Sequence, residues 1–348
     1  MDLGLMRRAS NVFFALLYAK IFVKRIPVRV ALQVTKYCNM NCSYCYANFK
    51  TYETIKEKST DEICEWIDEL YSYGTRGLWF LGGEPMMRKD FGEIIDHAKH
   101  KGMFCDMNSN GTLINEENIK IVNKLDGVCI SLDGDEESND FYRGKGSYQK
   151  AIKAIKLLKT HKIKVRLHCI LTKRTWKKLD HLAELSKELG VMFNYCEVLL
   201  NSPDRKDHIL SEEESKEFYK KYREYKKKGY PIMHSLPAIE YVMNWPKKEG
   251  NLIYQEEVSK YPRNSYMPCV YGSLDCFCDL DGRVYSCPGT WNDGLNSNEV
   301  GFQKAWDYLA DRKCIACRCM SAVQLKMVLS LQIKSLIYGL KSVLSISS

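Results

Sequence analysis

The most informative segment of this sequence is Cys38-Asn39-Met40-Asn41-Cys42-Ser43-Tyr44-Cys45. Its three thiols have the spacing C-x3-C-x2-C and directly follow an extended apolar run at 28–35. A tight loop of this spacing directs three thiolates to one point, and thiolates are the ligands of soft metals and iron–sulfur clusters. Three protein ligands leave one iron of a [4Fe-4S] cluster open. The alternatives are a zinc site, which usually takes four ligands in two separated pairs, and three buried structural cysteines.

The composition of the 348 residues is that of a globular protein with one large or two moderate domains. Hydrophobic residues make up 45% of the chain and charged residues 27%, and no low-complexity tract or internal repeat is visible. The 15 cysteines are an odd number in a chain of this length without an apparent cleavable signal. Metal-bound thiols in a reducing cytoplasm are therefore favoured over a disulfide framework. An exposed cluster is oxygen-labile, so anaerobic chemistry is expected.

Short apolar runs alternate with runs of helical periodicity from Val28 onward. The predicted strands are 28–35, 77–81, 104–108, 127–131, 164–171 and 192–199. The predicted helices are 60–73, 89–101, 115–124, 147–160 and 175–189. Strands that alternate with helices imply parallel β/α units, and barrels of such units carry their chemistry at the carboxyl ends of the strands. The cysteine loop follows the first strand, as this rule requires.

Polar turn sequences follow three further predicted strands. They are Gly82-Gly83-Glu84-Pro85, Asn108-Ser109-Asn110-Gly111-Thr112 and Ser131-Leu132-Asp133-Gly134, and the last is followed by Arg143-Gly144-Lys145-Gly146-Ser147. Taken alone, these segments are ordinary turns and a surface arginine. Glycines also let the backbone approach a ligand closely, and Glu84 can accept hydrogen bonds from an ammonium group.

Taken together, the cysteine spacing, the aromatic Tyr44 before the last thiol and the Gly-Gly-Glu-Pro turn one strand later resemble the radical SAM superfamily. The resemblance covers about residues 28–320 and implies an α/β fold with a partial (β/α)6 TIM-type barrel. It also implies that Cys38, Cys42 and Cys45 bind a [4Fe-4S] cluster whose open iron is chelated by S-adenosylmethionine. One electron from the cluster then releases a 5′-deoxyadenosyl radical, which abstracts hydrogen from a substrate.

The same resemblance implies which residues bind S-adenosylmethionine. They are Gly82, Gly83, Glu84, Asn108, Ser131, Asp133 and Arg143. Of these, the glycines and Glu84 would contact the methionine amino group, and Ser131 with Arg143 would hold its carboxylate. The fifth strand lacks the adenine motif of some members, so no adenine contact is assigned. No catalytic acid or base is assigned either. His168 and Glu197 are candidates for a proton acceptor or a substrate ligand, but polar residues at such positions more often form hydrogen bonds within the core.

A second group of cysteines lies between 269 and 319. The run 278–288 predicts a β-hairpin with an Asp-Gly turn. Its G-x4-C pattern followed by a C-x2-C resembles the SPASM or shorter twitch extension of radical SAM enzymes, which binds auxiliary [4Fe-4S] clusters. The resemblance implies one auxiliary cluster with the ligands Cys269, Cys287, Cys314 and Cys317. Zinc is the alternative, and the remaining cysteines of this group are alternative ligands or free thiols: Cys276, Cys278 and Cys319. The other five cysteines are expected in the core: Cys64, Cys105, Cys129, Cys169 and Cys196.

Basic charge is concentrated at the two ends of the chain. The net charge is +9, and residues 1–36 and 312–348 each carry +6. The apolar run 12–23 is too short to cross a bilayer, so it predicts either a helix packed on the body or a basic helix in a membrane interface. Residues 321–348 predict a basic amphipathic helix with Lys326, Lys334 and Lys341 on one face, either at anionic lipid or docked on the barrel.

These features predict five segments and one function. The segments are an N-terminal helix at 1–26, the core barrel at 27–202, a helical connector at 203–264, a SPASM/twitch-like cluster domain at 265–320 and the C-terminal helix at 321–348. The expected function is radical chemistry on a peptide or a lipid or isoprenoid substrate. The alternative is a non-catalytic iron–sulfur or zinc scaffold at a membrane surface.

The expected partners follow from the same reading. A small electron-transfer protein of the ferredoxin or flavodoxin type would supply the electron. An anionic membrane surface would bind the tails, which would place the cytoplasmic protein at the inner face of the membrane. Nucleic acid is not expected, because the lysines of 203–262 alternate with glutamates as on a solvated helical face.

Overall fold

The computed structural model describes residues 3–45, 54–198, 203–247, 250–290 and 293–330. The chain forms two compact units. The first unit consists of Met1–Ser131, Asp140–Arg166 and Tyr271–Ala310. The second unit consists of Leu132–Asn139, Leu167–Val270 and Asp311–Ser348.

The strands and helices alternate as the sequence predicts. The strands are β1 (Arg29–Gln33), β2 (Gly77–Leu81), β3 (Phe104–Ser109), β4 (Gly127–Ser131), β5 (Val165–Leu171), β6 (Met192–Glu197), β7 (Leu252–Tyr254), β8 (Asp275–Cys278), β9 (Arg283–Tyr285), β10 (Gly294–Asn296) and β11 (Cys314–Cys317). The helices are α1 (Leu3–Ile21), α2 (Thr60–Ser72), α3 (Phe91–His100), α4 (Ile119–Val122), α5 (Glu136–Arg143), α6 (Ser147–Thr160), α7 (Leu179–Leu189), α8 (Glu212–Lys227), α9 (Leu236–Met243), α10 (Ser297–Val300), α11 (Phe302–Tyr308) and α12 (Met320–Leu329). The fold is a partial (β/α)6 TIM-type barrel with a largely parallel sheet, which confirms the predicted class.

Within the predicted core barrel, two of the predicted helices differ from the observed ones, and one helix was missed. The helix predicted at 115–124 is only the single turn α4, and the one predicted at 175–189 begins as a 3-10 turn, Trp176–Lys178, before α7. The missed helix is α5, whose sequence EESNDFYR has too few apolar residues to display helical periodicity.

The sheet of the first unit extends on both sides of β1. Strands β1 to β4 pair in parallel and in chain order. The predicted hairpin is present as β8 and β9, which pair antiparallel through Phe277 with Tyr285 and Cys278 with Val284. Strand β8 also pairs in parallel with the other edge of β1, with Val30 opposite Cys276. The cysteine-rich hairpin therefore belongs to the same sheet as the strand that precedes the cysteine loop.

Helix α1 packs on the first unit and leaves one face exposed. Leu5, Leu16 and Ala19 are buried, and Arg8 forms an ion pair with the buried Asp126 at 2.6 Å. One side of the apolar run 12–23 therefore packs on the body, and the membrane-interface alternative concerns its exposed side. Among the residues that the structure describes, no helix is long and apolar enough to cross a membrane.

The second unit has an aromatic core. Phe193 and Tyr195 on β6 pack edge-to-face with Tyr222 of α8, and Phe218 stacks on the same Tyr222 ring. Such pairs add about 0.5–1.5 kcal/mol each beyond area burial. The buried residues of α8 are Phe218, Tyr219 and Tyr222, whereas the rest of its surface is strongly charged.

Helix α12 corrects the prediction for the C-terminal segment. The expectation that Lys326 lies on an exposed basic edge is wrong, because its side chain is 1% exposed. Its Nζ donates to Met267 O at 3.1 Å and lies 5.5 Å from the centre of the Tyr241 ring. Lys334 and Lys341, the other two members of that edge, lie outside the described residues.

Candidate functional site

The cysteine loop is aligned by backbone pairing that continues beyond strands β1 and β2. Val34 N donates to Leu81 O at 2.9 Å, and Gly83 N donates to Thr35 O at 2.7 Å. Glu84 N then donates to Tyr37 O at 2.8 Å. The Gly-Gly-Glu turn therefore runs directly beside the residue that precedes Cys38.

Gly82 and Gly83 are required by this close approach. A Cβ at Gly83 would lie 2.1 Å from Tyr37 O and 2.8 Å from Cys38 N, distances that no side chain tolerates. Gly82 has a φ of +149° and would place a Cβ 2.5 Å from Thr35 O. Sequence reasoning attributed the glycines to the approach of a ligand, whereas the approach observed is to the backbone that leads into the cysteine loop.

Glu84 is a buried carboxyl group at the carboxyl end of β2. It is 1% exposed, and its Oε1 accepts hydrogen bonds from Ser109 Oγ at 2.8 Å and from Met86 N at 3.2 Å. Its Oε2 accepts one from Asn110 N at 2.7 Å. Burial raises the pKa of Glu84 to about 7 against the opposing effect of these donors and of Arg143. A further donor or cation at this carboxyl would favour its ionised form, which suits the amino group of S-adenosylmethionine.

The three thiols of the loop fit a cluster that carries positive iron. Burial, together with smaller contributions from Glu84, Cys42 and Cys45, raises the pKa of the Cys38 thiol to about 11. The raised pKa favours the protonated thiol, whereas bound metal favours the thiolate, since a coordinating thiol is deprotonated. Within the described residues the three sulfur atoms do not all lie within 4.8 Å of one another.

Polar side chains after β3 form hydrogen bonds with the cysteine loop. Asn39 Oδ1 accepts a hydrogen bond from Asn110 Nδ2 at 2.8 Å, and Asn39 Nδ2 donates to Thr112 Oγ1 at 2.8 Å. The guanidinium of Arg143 lies 5.6 Å from the centre of the Tyr44 ring, near the end of the loop. Sequence reasoning missed Asn39 and Asn110, although Asn110 stands in the Asn-Ser-Asn-Gly-Thr turn that it singled out.

The remaining predicted cofactor residues are placed differently. Asn108 Oδ1 accepts a hydrogen bond from Trp79 Nε1 at 3.0 Å, and Ser131 is half-buried at the end of β4. In the second unit, Asp133 is fully buried and its Oδ1 accepts a hydrogen bond from Ile170 N at 2.9 Å. Contact of these three residues with S-adenosylmethionine stays a prediction.

The predicted auxiliary ligands of the second unit lie on and beside β11. This strand pairs antiparallel with β7, and its register shifts between Cys314 and Ala316. In a regular strand residues three apart face opposite sides, but one extra residue returns Cys317 to the side of Cys314. Cys269 N donates to Ile315 O at 2.7 Å, which brings the third thiol beside the same strand.

Other cysteines divide into buried and half-buried ones. Cys287, the fourth predicted auxiliary ligand, lies in the first unit with its Sγ 3.8 Å from Thr290 Oγ1. The two cysteines of β8 are 0% exposed, and three of the five expected in the core are buried: Cys105, Cys129 and Cys169. The core prediction is wrong for Cys64 and Cys196, which are half-buried.

Comparison with protein families gives one matching family model and several relatives. The model of the radical SAM superfamily matches residues 32–186. The Fe-coproporphyrin III synthase of Methanosarcina barkeri is 38% identical over 162 residues, which are 46% of this chain and 41% of that protein. The AdoMet-dependent heme synthase of Nitratidesulfovibrio vulgaris is 29% identical over 292 residues, 80% of this chain and 78% of that protein. The mycofactocin maturase MftC of Mycolicibacterium smegmatis is 24% identical over 302 residues, 81% of this chain and 70% of that protein.

Solved structures share the fold. Streptococcus suis SuiB bound to its precursor peptide SuiA superposes with a TM-score of 0.64 at 16% identity, over 85% of this chain and 68% of that one. The enzyme anSMEcpe with bound AdoMet superposes with a TM-score of 0.59 at 14% identity, over 92% of this chain and 98% of that one. At these identities the likeness concerns the fold.

Proposed function

Since this chain belongs to the radical SAM superfamily, we propose that its site cleaves S-adenosylmethionine and abstracts hydrogen from a peptide substrate. The [4Fe-4S] cluster of the family would be held by Cys38, Cys42 and Cys45. When bound, it supplies one electron that breaks the sulfonium and yields the 5′-deoxyadenosyl radical. The observation that carries the proposal is the buried Glu84, held by three donors directly beside the backbone that leads into the cysteine loop.

The residues around the loop have separate tasks in this proposal. Glu84 accepts N–H groups of the methionine moiety, and Arg143 beside Tyr44 binds its carboxylate. Asn39 accepts a hydrogen bond from Asn110, which keeps the loop in one conformation. A loop that is already fixed by side-chain hydrogen bonds loses less entropy when the cofactor binds.

Formation of 5′-deoxyadenosine tests the proposal. The protein is reconstituted with iron and sulfide under anaerobic conditions and incubated with dithionite and S-adenosylmethionine. We expect 5′-deoxyadenosine from the wild type and from Cys64→Ser, a half-buried thiol on α2 outside the loop, and none from Cys42→Ser. Failure of the wild type with its cluster shown present by absorption and iron content would reject the enzymatic function and favour a scaffold.

The substrate is proposed from the relatives and tested by competition. MftC is named a maturase, and the structural neighbour SuiB binds a precursor peptide, so a peptide is the first candidate. Two relatives with higher identity are named an Fe-coproporphyrin III synthase and an AdoMet-dependent heme synthase, so an iron porphyrin is a necessary comparison. We expect a mixed peptide library to raise 5′-deoxyadenosine formation above the uncoupled rate. Stimulation by the porphyrin alone would exclude the peptide.

A lipid or isoprenoid is the second candidate, favoured by the exposed face of α1. Phe14, Tyr18 and Ile21 are 62%, 51% and 62% exposed, and Lys20 and Lys24 are exposed beside them. Exposed apolar side chains with neighbouring cations are typical of helices that lie in an anionic membrane interface. An open groove of about 330 Å³ adjoins this face, and no proposed cofactor residue lines it.

An auxiliary [4Fe-4S] cluster is part of the proposal. Its proposed ligands in the second unit are Cys269, Cys314 and Cys317. Its task is to accept an electron from the substrate radical or to bind the substrate, while a ferredoxin- or flavodoxin-type protein reduces the first cluster. Iron content distinguishes one cluster from two, since loss of about four irons from Cys314→Ser is expected and an unchanged content contradicts it.

A further inference from the structure

Two cysteines and a glutamate meet in the second unit, outside both predicted clusters. Cys196 and Glu197 are the last two residues of β6, and Cys319 directly precedes α12. One ligand atom from each lies within 4.8 Å of the other two. Among the residues that the structure describes, this is the one group of three or more such donors that is so close together.

We propose that Cys196, Glu197 and Cys319 bind a single divalent ion of the zinc class. The Sγ atoms of Cys196 and Cys319 are 3.9 Å apart. Two thiolates on one tetrahedral zinc, with Zn–S distances of about 2.3 Å, are separated by about 3.8 Å. A disulfide would instead require the two sulfurs to approach to about 2.05 Å.

The glutamate is oriented as a metal-binding carboxylate usually is. Its Oε1 accepts a hydrogen bond from the hydroxyl of Tyr219, and its Oε2 accepts one from Met320 N at 3.0 Å. Each oxygen keeps a lone pair for an ion, while the two donors fix the plane of the carboxylate. Met320 is also the first residue of α12, so the positive end of the helix dipole favours negative charge on Glu197 and Cys319.

Three protein ligands leave the fourth tetrahedral position to water or to a donor atom of another molecule. All three residues are half-buried, so small molecules have access to the ion. Cys196 and Glu197 also lie at the carboxyl end of a barrel strand, the position where such barrels carry their chemistry. The geometry therefore suits an ion that holds a thiolate, carboxylate or water. This inference does not depend on the substrate proposed above.

Metal content of the cluster-loaded protein tests the site. The reconstituted protein is incubated with zinc chloride, desalted, and measured for zinc and iron by mass spectrometry. We expect one zinc per chain in the wild type and in Cys64→Ser, and loss of that zinc in Cys196→Ser and Cys319→Ser. The zinc-edge X-ray absorption spectrum should show two sulfur neighbours at about 2.3 Å and additional light-atom neighbours.

Two milder variants keep the test valid if the serine variants do not fold. Glu197→Gln and Tyr219→Phe should retain the fold and weaken zinc binding, the latter by about 10-fold or more because it removes a partner of the ligand. Zinc retained by Cys196→Ser at the wild-type level would overturn the proposal. Loss of about four irons from Cys319→Ser would do so as well, because Cys319 would then be a cluster ligand. A Cys196–Cys319 disulfide in the anaerobic protein would also exclude the ion.

Discussion

The backbone N–H of Asn110 donates to Glu84 Oε2 at 2.7 Å, which ties the end of β3 to the turn beside the cysteine loop. With Ser109 Oγ and Met86 N on the other oxygen, the carboxylate is fixed in one orientation before any cofactor binds. Binding of a further amino group then requires little reorganisation. Glu84 is therefore the residue on which affinity for S-adenosylmethionine should depend most directly.

Glu84→Gln should weaken S-adenosylmethionine binding by about 10- to 100-fold, because a hydrogen bond to a charged group contributes about 1.5–3 kcal/mol. Equilibrium dialysis of the cluster-loaded protein measures the dissociation constant. Glu69→Gln, a half-buried carboxyl on α2, is the matched control and should leave it unchanged. Equal affinity of Glu84→Gln and the wild type would show that Glu84 does not contact the cofactor.

The raised pKa of Glu84 predicts how stability depends on pH in the protein without cofactors. Its pKa in the folded state is about 7, against 4.5 for the ordinary group, so the folded state binds the proton more tightly. This contribution is fully present below pH 4.5 and is lost as the pH rises through 7. Between pH 4.5 and 8 the unfolding free energy of the wild type should fall by about 3 kcal/mol relative to Glu84→Gln. Urea unfolding at a series of pH values measures it, and parallel curves would contradict it.

Gly83→Ala should prevent cluster assembly without unfolding the protein. The added Cβ meets the backbone at Tyr37 and Cys38, which cannot move aside as a flexible side chain would. We expect the iron bound after reconstitution at this site to be lost, with circular dichroism unchanged.

Gly92→Ala is the control for that substitution. Its Cβ would lie 3.5 Å from Lys124 Nζ, an ordinary contact, within helix α3. It should keep full iron content and gain about 0.5–1 kcal/mol of stability, since alanine is the better helix former. Normal iron content in Gly83→Ala would mean that the loop tolerates displacement.

The sequence pattern predicted the first six strands and the loop between β1 and α2, because both depend on local runs and spacing. It did not predict that β8 pairs with β1, since strand order is set by tertiary packing. It also placed Lys326 on a polar edge, whereas a backbone carbonyl and the Tyr241 ring satisfy that ammonium group inside the second unit. Partners distant in sequence, such as Asn39 and Asn110, are likewise invisible to a local pattern.

Asp126 should be the residue that fastens α1 to the first unit. Its side chain is 1% exposed and accepts hydrogen bonds from Arg8, Lys99 and Cys105 N. Asp126→Ala leaves two half-buried cations without their partner, so we expect a loss of about 3 kcal/mol in urea unfolding. Asp96→Ala removes an exposed pair with Lys124 and should change stability by less than about 1 kcal/mol. Equal losses of unfolding free energy in the two variants would show that the buried ion pairs of Asp126 stabilise the protein no more than the exposed pair of Asp96.

The exposed face of α1 should bind anionic vesicles. Phe14 and Ile21 are each 62% exposed, and burying such side chains in lipid contributes about 1.5–3 kcal/mol each. The double variant Phe14→Ser, Ile21→Ser should therefore reduce co-sedimentation with anionic vesicles at least 10-fold. Binding should also fall as salt rises, because Lys20 and Lys24 attract the anionic headgroups.

Two controls separate α1 from other apolar surfaces. Phe141→Ser removes an equally exposed ring, 61%, from α5 and should leave vesicle binding unchanged. A deletion should begin at residue 331 rather than 321, because Val323, Lys326 and Met327 are buried and their removal would damage the second unit. Failure of the wild type to bind anionic vesicles at low salt would contradict both the membrane role of α1 and the lipid candidate for the substrate. If only the deletion abolishes binding, the membrane contact belongs to the C-terminal segment and α1 has no part in it.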